Sequence, residues 1–546
     1  MPYSRVCTRR RGGGAVRHQF GGIMGEMVCA QALGIGVAAL SLFGGASIWV
    51  AVVAGTCVGA TLALQVRGRS VLRWAATAAL FARDSGYELG TITDFRGPGG
   101  RPTGLYWDGD RVVAVLELSA APGGISYATK ESNEPAHTVP LAVFASLLTQ
   151  HDIMLAGIDI ISHGRRSQGP SIAAREYERL LGRLQAPTSQ TVWLAVALDV
   201  VANAEAVRRR GGGTRGAARA VTIAATRIVR ELERQGCPAR ILTGTHIKDA
   251  VLTISGGTDP RTLTQHWRYA VVGSAVNTGA VSKRCDTALL AATWSVPAET
   301  TSVAIRLRPG SALHSVAVGA SWRLSGATAP HAPPGSAAVH GHHRDALLAH
   351  LPLAAPRSDR VVPLRECTVD DWQLPTVGCG QLIGSDPQGR AVLARLTGTG
   401  VANVYLAGGM LLAQQVVFRA LATGARILIR TDRPHAWERL TAAVTDSSCL
   451  HIDSPATLSD AGYTAVVSDG VRSDPRPDAT MIHLSADRAT WPSEPPDISI
   501  EQLDGAPNTV VLRAGAKKVE VTLISTASET SILDRELSRQ LVAAAS

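Results

Sequence analysis

Lysine is almost missing from this chain of 546 residues: Lys130, Lys248, Lys283, Lys517 and Lys518 are all there are. That scarcity excludes one large function class. A phosphate-binding P-loop ends in Gly-Lys-Ser/Thr, because backbone amides and the lysine ammonium together cradle the β- and γ-phosphates. The residues before the five lysines are Thr129, Ile247, Ser282, Ala516 and Lys517, so no motor of that type can be built here. Aromatic residues are also scarce, at 4%, which disfavours stacking platforms for sugars and bases. His-Glu-x-x-His, Gly-x-Ser-x-Gly and Cys-x-x-Cys do not occur, which removes the zinc-protease, hydrolase and dithiol readings that rest on those spacings.

Acidic residues are outnumbered, 44 against 54 basic, for a net charge of +10. Residues 361–546 carry 16 basic and 21 acidic residues, so the excess lies in residues 1–360. Part of it is a tail with Arg5, Arg9, Arg10, Arg11 and Arg17. A nucleic-acid binder is expected to spread its basic residues along a folded face. Here they flank an apolar segment, and no nucleic-acid partner is expected. The one internal basic run, Arg208-Arg209-Arg210, reads as a solvated loop or a contact with lipid headgroups or an acidic partner. With 45% apolar and 18% charged residues the chain is not disordered, and its length allows two large domains or three to four of ordinary size.

Met27–Leu64 is a 38-residue run without a charge. One span needs about 20 residues, so this length fits two. Gly44-Gly45-Ala46-Ser47 breaks it, which predicts helices over 23–43 and 47–66. Arginines precede the first helix and follow the second (Arg67, Arg69, Arg73); the positive-inside rule then puts both ends in the cytoplasm. Gly34, Gly36, Ala38, Gly55, Gly59 and Ala60 allow close helix packing. The expectation is an inner-membrane protein whose two-helix transmembrane hairpin (23–66) follows a basic tail (1–22). Cys237, Cys285, Cys367, Cys379 and Cys449 are widely scattered, as free thiols of a reducing compartment are.

The remainder reads as mixed α/β (α+β): a first module over 67–325, a linker over 326–360 and a second module over 361–546. In the first, Asp108-Gly109 predicts a hairpin turn. Ser171 predicts a cap for a helix with Ile172, Tyr177, Leu180, Leu181 and Leu184 on one face. A long helix is expected over 216–235, and strands at 191–199, Thr287–Ser295, Ser302–Leu307 and Ser315–Ala320. The linker assignment rests on its Ala, Pro, Gly and His content; His331, His340, His342, His343 and His350 show no metal-ligand spacing. In the second module, Val401–Ala407, Gly408-Gly409, a helix over 410–423, Gly424 and Ala425–Ile429 form a βαβ pattern. The dinucleotide fingerprint is absent, because Gly398 and Gly400 precede the strand. Tight packing accounts for Gly408-Gly409, and a degenerate nucleotide pocket with Asp432 at the following loop is the alternative; Asp432 otherwise reads as an exposed helix-capping residue before Pro434. A final helix over 529–544 would bury Ile532, Leu533, Leu537 and Leu541. No catalytic, cofactor-binding or metal-binding residue is assigned.

Several stretches resemble the EccE family of mycobacterial type VII (ESX) secretion systems. They are Gly104–Asp108, Ile158–Gly164, Trp294–Pro297 with Arg306–Pro309, Gly380–Gly384, Leu411–Arg419 and Arg430–Pro434, together with the N-terminal hairpin. The resemblance implies a non-enzymatic structural subunit of an inner-membrane complex with EccB, EccC and EccD. It also implies that EccC carries the ATPase, in keeping with the missing P-loop.

Overall fold

The computed structural model describes residues 17–533, apart from 67–68, 84–87, 98–99, 120–122, 170, 283–291, 312–314, 331–334, 357–360, 399, 445–448, 454–461, 472 and 477–478. The basic tail before Arg17, Cys285, His331, Leu537 and Leu541 therefore lie outside the described residues.

The apolar run folds as a helical hairpin, Arg17–Phe43 and Ile48–Ala63. It turns at Gly44–Ser47, where Gly45 takes a φ of 83° that favours glycine. The glycines explain how tightly it closes. A Cβ on Gly55 would lie 2.5 Å from the carbonyl oxygen of Gly34, and one on Gly34 would lie 2.6 Å from that of Gly55. The second helix is shorter than the expected 47–66, because residues Gln65–Val66 leave it to pair with Arg69–Ser70. Its 16 residues rise about 24 Å, short of a ~30 Å hydrocarbon core. Among the described residues, no helix is long and apolar enough to cross a membrane.

After the Val71–Ala82 helix, the chain builds a large antiparallel sheet. Its central order is Ala275–Ser282, Val316–Gly326, Thr300–Pro309, Gly157–Arg165, Ser189–Asp199, Arg111–Leu118, Pro102–Asp108 and Thr91–Arg96. The Asp-Gly hairpin forms as expected: Asp108 faces Arg111, and Gly109 has a φ of 57°. Alternate residues feed opposite faces. Ile158, Ile160, Leu194, Val196 and Leu307 pack against the Gly213–Arg234 helix, whose buried stripe includes Ala217, Val221, Ala224, Ile228 and Leu232. Ile161, Trp193 and Ala304 pack with the Gly244–Ile254 helix on the other face.

A second sheet has six parallel strands, in the order Leu450–Asp453, Ile427–Thr431, Ala465–Asp469, Thr480–Ser485, Asn403–Ala407 and Ile498–Leu503. It continues antiparallel through Ala506–Ala514, Lys517–Leu523, Gln381–Ser385, Ala391–Ala394 and Ile125–Ala128. The βαβ pattern is present but not between neighbours. The Met410–Ala422 helix carries the chain from Asn403–Ala407 past two strands to Ile427–Thr431.

Three expectations need correction. Residues 326–360 are not a free linker. Ser336–Ala338 pairs with Ala275–Ser282, and His343–Leu348 is a helix whose Ala346, Leu347 and Leu348 are buried. The segment lacks a long apolar period because it covers a sheet in short pieces. Nor do the two modules divide cleanly. Ile125–Ala128 is a strand of the second sheet, and Ala173, Tyr177 and Leu181 belong to the second core. Of the strand expected at Thr287–Ser295, residues 287–291 lie outside the described residues, and Thr293–Ser295 is a single 3-10 turn. A strand the sequence did not show is Ala275–Ser282, where Asn277, Thr278 and Gly279 hid it.

Candidate functional site

The carboxyl ends of the parallel strands are where a ligand would sit in such a sheet. Along that edge lie three glycines, Gly408, Gly409 and Gly470, and three carboxylate or amide side chains, Asp432, Asp469 and Gln502. Asp469 ends its strand 1% exposed on its side chain. It accepts hydrogen bonds from Thr431 Oγ1 at 2.8 Å, Trp437 Nε1 at 2.9 Å and Arg433 Nη2 at 2.6 Å. Burial pushes its carboxyl up, but these donors outweigh that and hold it below its ordinary value. Such a carboxylate is a structural node, fully engaged by its own chain. Asp432, the sequence candidate, is exposed, and its side chain makes no cap for the short Pro434–Trp437 turn. It lies against Gly470, where any Cβ would fall 2.3 Å from its Oδ1.

The turn before the Met410–Ala422 helix is occupied as well. Gly409 N–H donates to Gln502 Oε1 at 2.8 Å, and a Cβ on Gly408 would meet that amide oxygen at 2.7 Å. A phosphate at this helix start would have to displace Gln502. Sequence reasoning passed over Asp469, Arg433 and Gln502. The only signal was Ser468-Asp469-Gly470 at a strand end.

Other candidates are also engaged. Arg208 and Arg209 pair with Glu205, and Arg210 makes two 2.8 Å bonds to Asp152. The Arg210 bonds hold the Asp152 carboxyl down at about 2. His340 stacks on Trp74 with ring centres 6.1 Å apart, while His343 and His350 are buried. Among the described residues no three His, Cys, Asp or Glu side chains are placed to hold a metal ion.

The hairpin surface is different. Among the described residues 19 large hydrophobic side chains are exposed, and 14 of them lie between Met27 and Val66. Leu40 is 79% exposed, Trp49 78% and Phe43 95%. Soluble proteins rarely expose a contiguous apolar surface of this kind without a partner or a membrane against it.

A family model described as "Putative type VII ESX secretion system translocon, EccE" matches residues 186–280. The chain is also similar to the ESX-1 secretion system protein EccE1 of Mycolicibacterium smegmatis. Identity there is 24% over 390 residues, covering 70% of this chain and 77% of the relative. Similarity to the ESX-5 protein EccE5 of Mycobacterium tuberculosis is 26% over 239 residues, covering 40% of this chain and 58% of that protein. For the ESX-2 protein EccE2 of the same species it is 24% over 344 residues, covering 60% of each.

Proposed function

We infer that this chain, which belongs to the EccE family, is a structural subunit of a type VII (ESX) secretion complex. The 390-residue similarity to an ESX-1 secretion protein carries that reading. Among the described residues, Gln502 fills the turn at the helix start and the Asp469 carboxylate is engaged by its own chain, an arrangement in keeping with a structural role.

The hairpin is the membrane anchor in this reading. Its exposed apolar side chains face lipid, and the Phe43–Trp49 end, rich in aromatic and small residues, reaches the far interface. The second helix is accommodated by tilt or local thinning of the bilayer, and by Leu64 and Val66 beyond its end. The termini and both sheets then lie in the cytoplasm. The partners are the other membrane subunits, EccB, EccC and EccD, and EccC supplies the ATPase that this chain lacks.

Extraction tests the anchor: the protein should stay in the membrane pellet through alkaline carbonate and leave it only with detergent. Native purification from detergent extracts tests the assembly. The three partners should co-elute in fixed ratio, and deletion should stop ESX secretion. A protein that purifies alone from a strain that still secretes contradicts the assignment.

A further inference from the structure

One face of the first sheet is polar where its neighbours are dry. The strand Gly157–Arg165 sends Ile158 and Ile160 to one side and Asp159, Ile161 and His163 to the other. Across the register, His163 lies opposite Ser302, and Ser302 opposite Arg323. Further along, Ala304 faces Ser321, and Asp159 faces Arg306. The roof over this face is the helix His343–Leu348 with the chain through Ala355, and the end of the Gly244–Ile254 helix. Arg323 donates to the Ile254 carbonyl, Arg306 to the Ala349 carbonyl at 3.4 Å, and the His350 ring meets Ser321 Oγ at 3.2 Å.

Among the described residues, Asp159 is the carboxylate in this row, and Arg306 and Arg308 both pair with it. Arg323 is 3% exposed and pairs with no carboxylate among the described residues, where its Nε and Nη1 atoms also lack a hydrogen-bond partner. His163 Nδ1 pairs with Ser302 Oγ at 2.6 Å, which leaves Nε2 without a partner. His350 uses Nε2 on Ser321 and leaves Nδ1 without one. Both rings are buried. Burial and the field of Arg323 hold the His163 imidazole down at about 3, so it is neutral at pH 7. An unpaired guanidinium in a dry interior is among the costliest groups a fold can carry.

We propose that this row is an anion site, in which Arg323 and the N–H groups of His163 and His350 hold one small monovalent anion of the halide class. The serine hydroxyls donate to the two paired ring nitrogens, which places the ring protons on the two nitrogens without partners. The open atoms of Arg323, His163 and His350 are then all donors, and Asp159 is already paired with Arg306 and Arg308. The buried roof favours a small anion over a macromolecule.

The test uses the full chain in detergent at constant ionic strength, with sodium gluconate replaced stepwise by sodium chloride or bromide. The apparent melting temperature should rise saturably, by about 2–4 °C once the site is filled. Arg323→Met should abolish that rise, while Arg215→Met, at an exposed position of the Gly213–Arg234 helix, should keep it. Chloride-35 line broadening provides a second measurement should Arg323→Met fail to fold. Wild-type protein should broaden the line, bromide should reverse the broadening, and Ser302→Ala should weaken it. A wild-type protein that shows neither a saturable halide shift nor bromide-reversible broadening overturns the proposal. So does an Arg323→Met protein that keeps the full shift.

Discussion

Single buried polar residues fix much of this molecule, and Arg419 does so most directly. Its guanidinium pairs with Glu529 at 2.8 and 2.9 Å and donates to the carbonyls of Leu382, Ile383 and Ile524. It ties the Met410–Ala422 helix to the antiparallel half of the second sheet and to the Ala527–Leu533 helix. Arg419→Met strands a buried carboxylate and should cost about 3–5 kcal/mol, whereas Arg419→Met with Glu529→Met should recover most of it. Urea midpoints of the two variants check this. His343 gives a pH dependence. It is 3% exposed, and burial, followed by the nearby His340 and His342, holds it down at about 4. The folded value lies below the unfolded value of about 6.5. Its stabilisation is therefore complete above pH 6.5 and is lost as the pH falls toward 4. Roughly 2 kcal/mol should go between pH 6.5 and 5. In melting curves over that interval, His343→Leu should be flatter than the wild type.

At the scale of elements, the hairpin and the shared core make separate predictions. Gly55 and Gly36 look alike in sequence, as small residues on apolar helices. A Cβ on Gly55 meets backbone at 2.5 Å, whereas one on Gly36 meets nothing within 4 Å. Gly55→Leu should separate the helices, and Gly36→Leu should be tolerated. Disulfide trapping between cysteines placed at Ala30 and Gly59 would distinguish the two, because a Cβ at Gly59 lies 3.4 Å from the Ala30 carbonyl. The Ile172–Leu181 helix is capped by Ser171, as its sequence indicates, with Oγ accepting from Ala174 N at 3.1 Å. Its destination was not legible. Tyr177 accepts a 2.8 Å bond from Leu382 N inside the second core. Tyr177→Phe leaves that buried amide unpaired, at about 1–3 kcal/mol. A fragment of residues 361–546 lacks this helix and the Ile125–Ala128 strand, so it should be protease-sensitive where the full chain is resistant.

For the whole molecule, the secretion assignment rests on similarity spread along most of the chain, and the proposed anchor rests on where the apolar surface lies. The fold class was readable because period-2 and period-3.6 apolar patterns are local. The strands at 191–199 and Ser302–Leu307 and the helices over 216–235 and 410–423 all stand close to where those patterns put them. Local pattern could not show that 336–355 covers a sheet, since short buried pieces carry no period. It also could not show that Gln502 fills the turn at Gly408-Gly409. The missing P-loop, the uneven charge and the apolar hairpin were settled by residue order alone, because they depend on which residues are present and which are adjacent. Pairing decided the rest. Only the tertiary structure brings His163, Ser302 and Arg323 into one row, because a strand's neighbours in a sheet are set by burial and hydrogen bonding over distances that sequence spacing does not record.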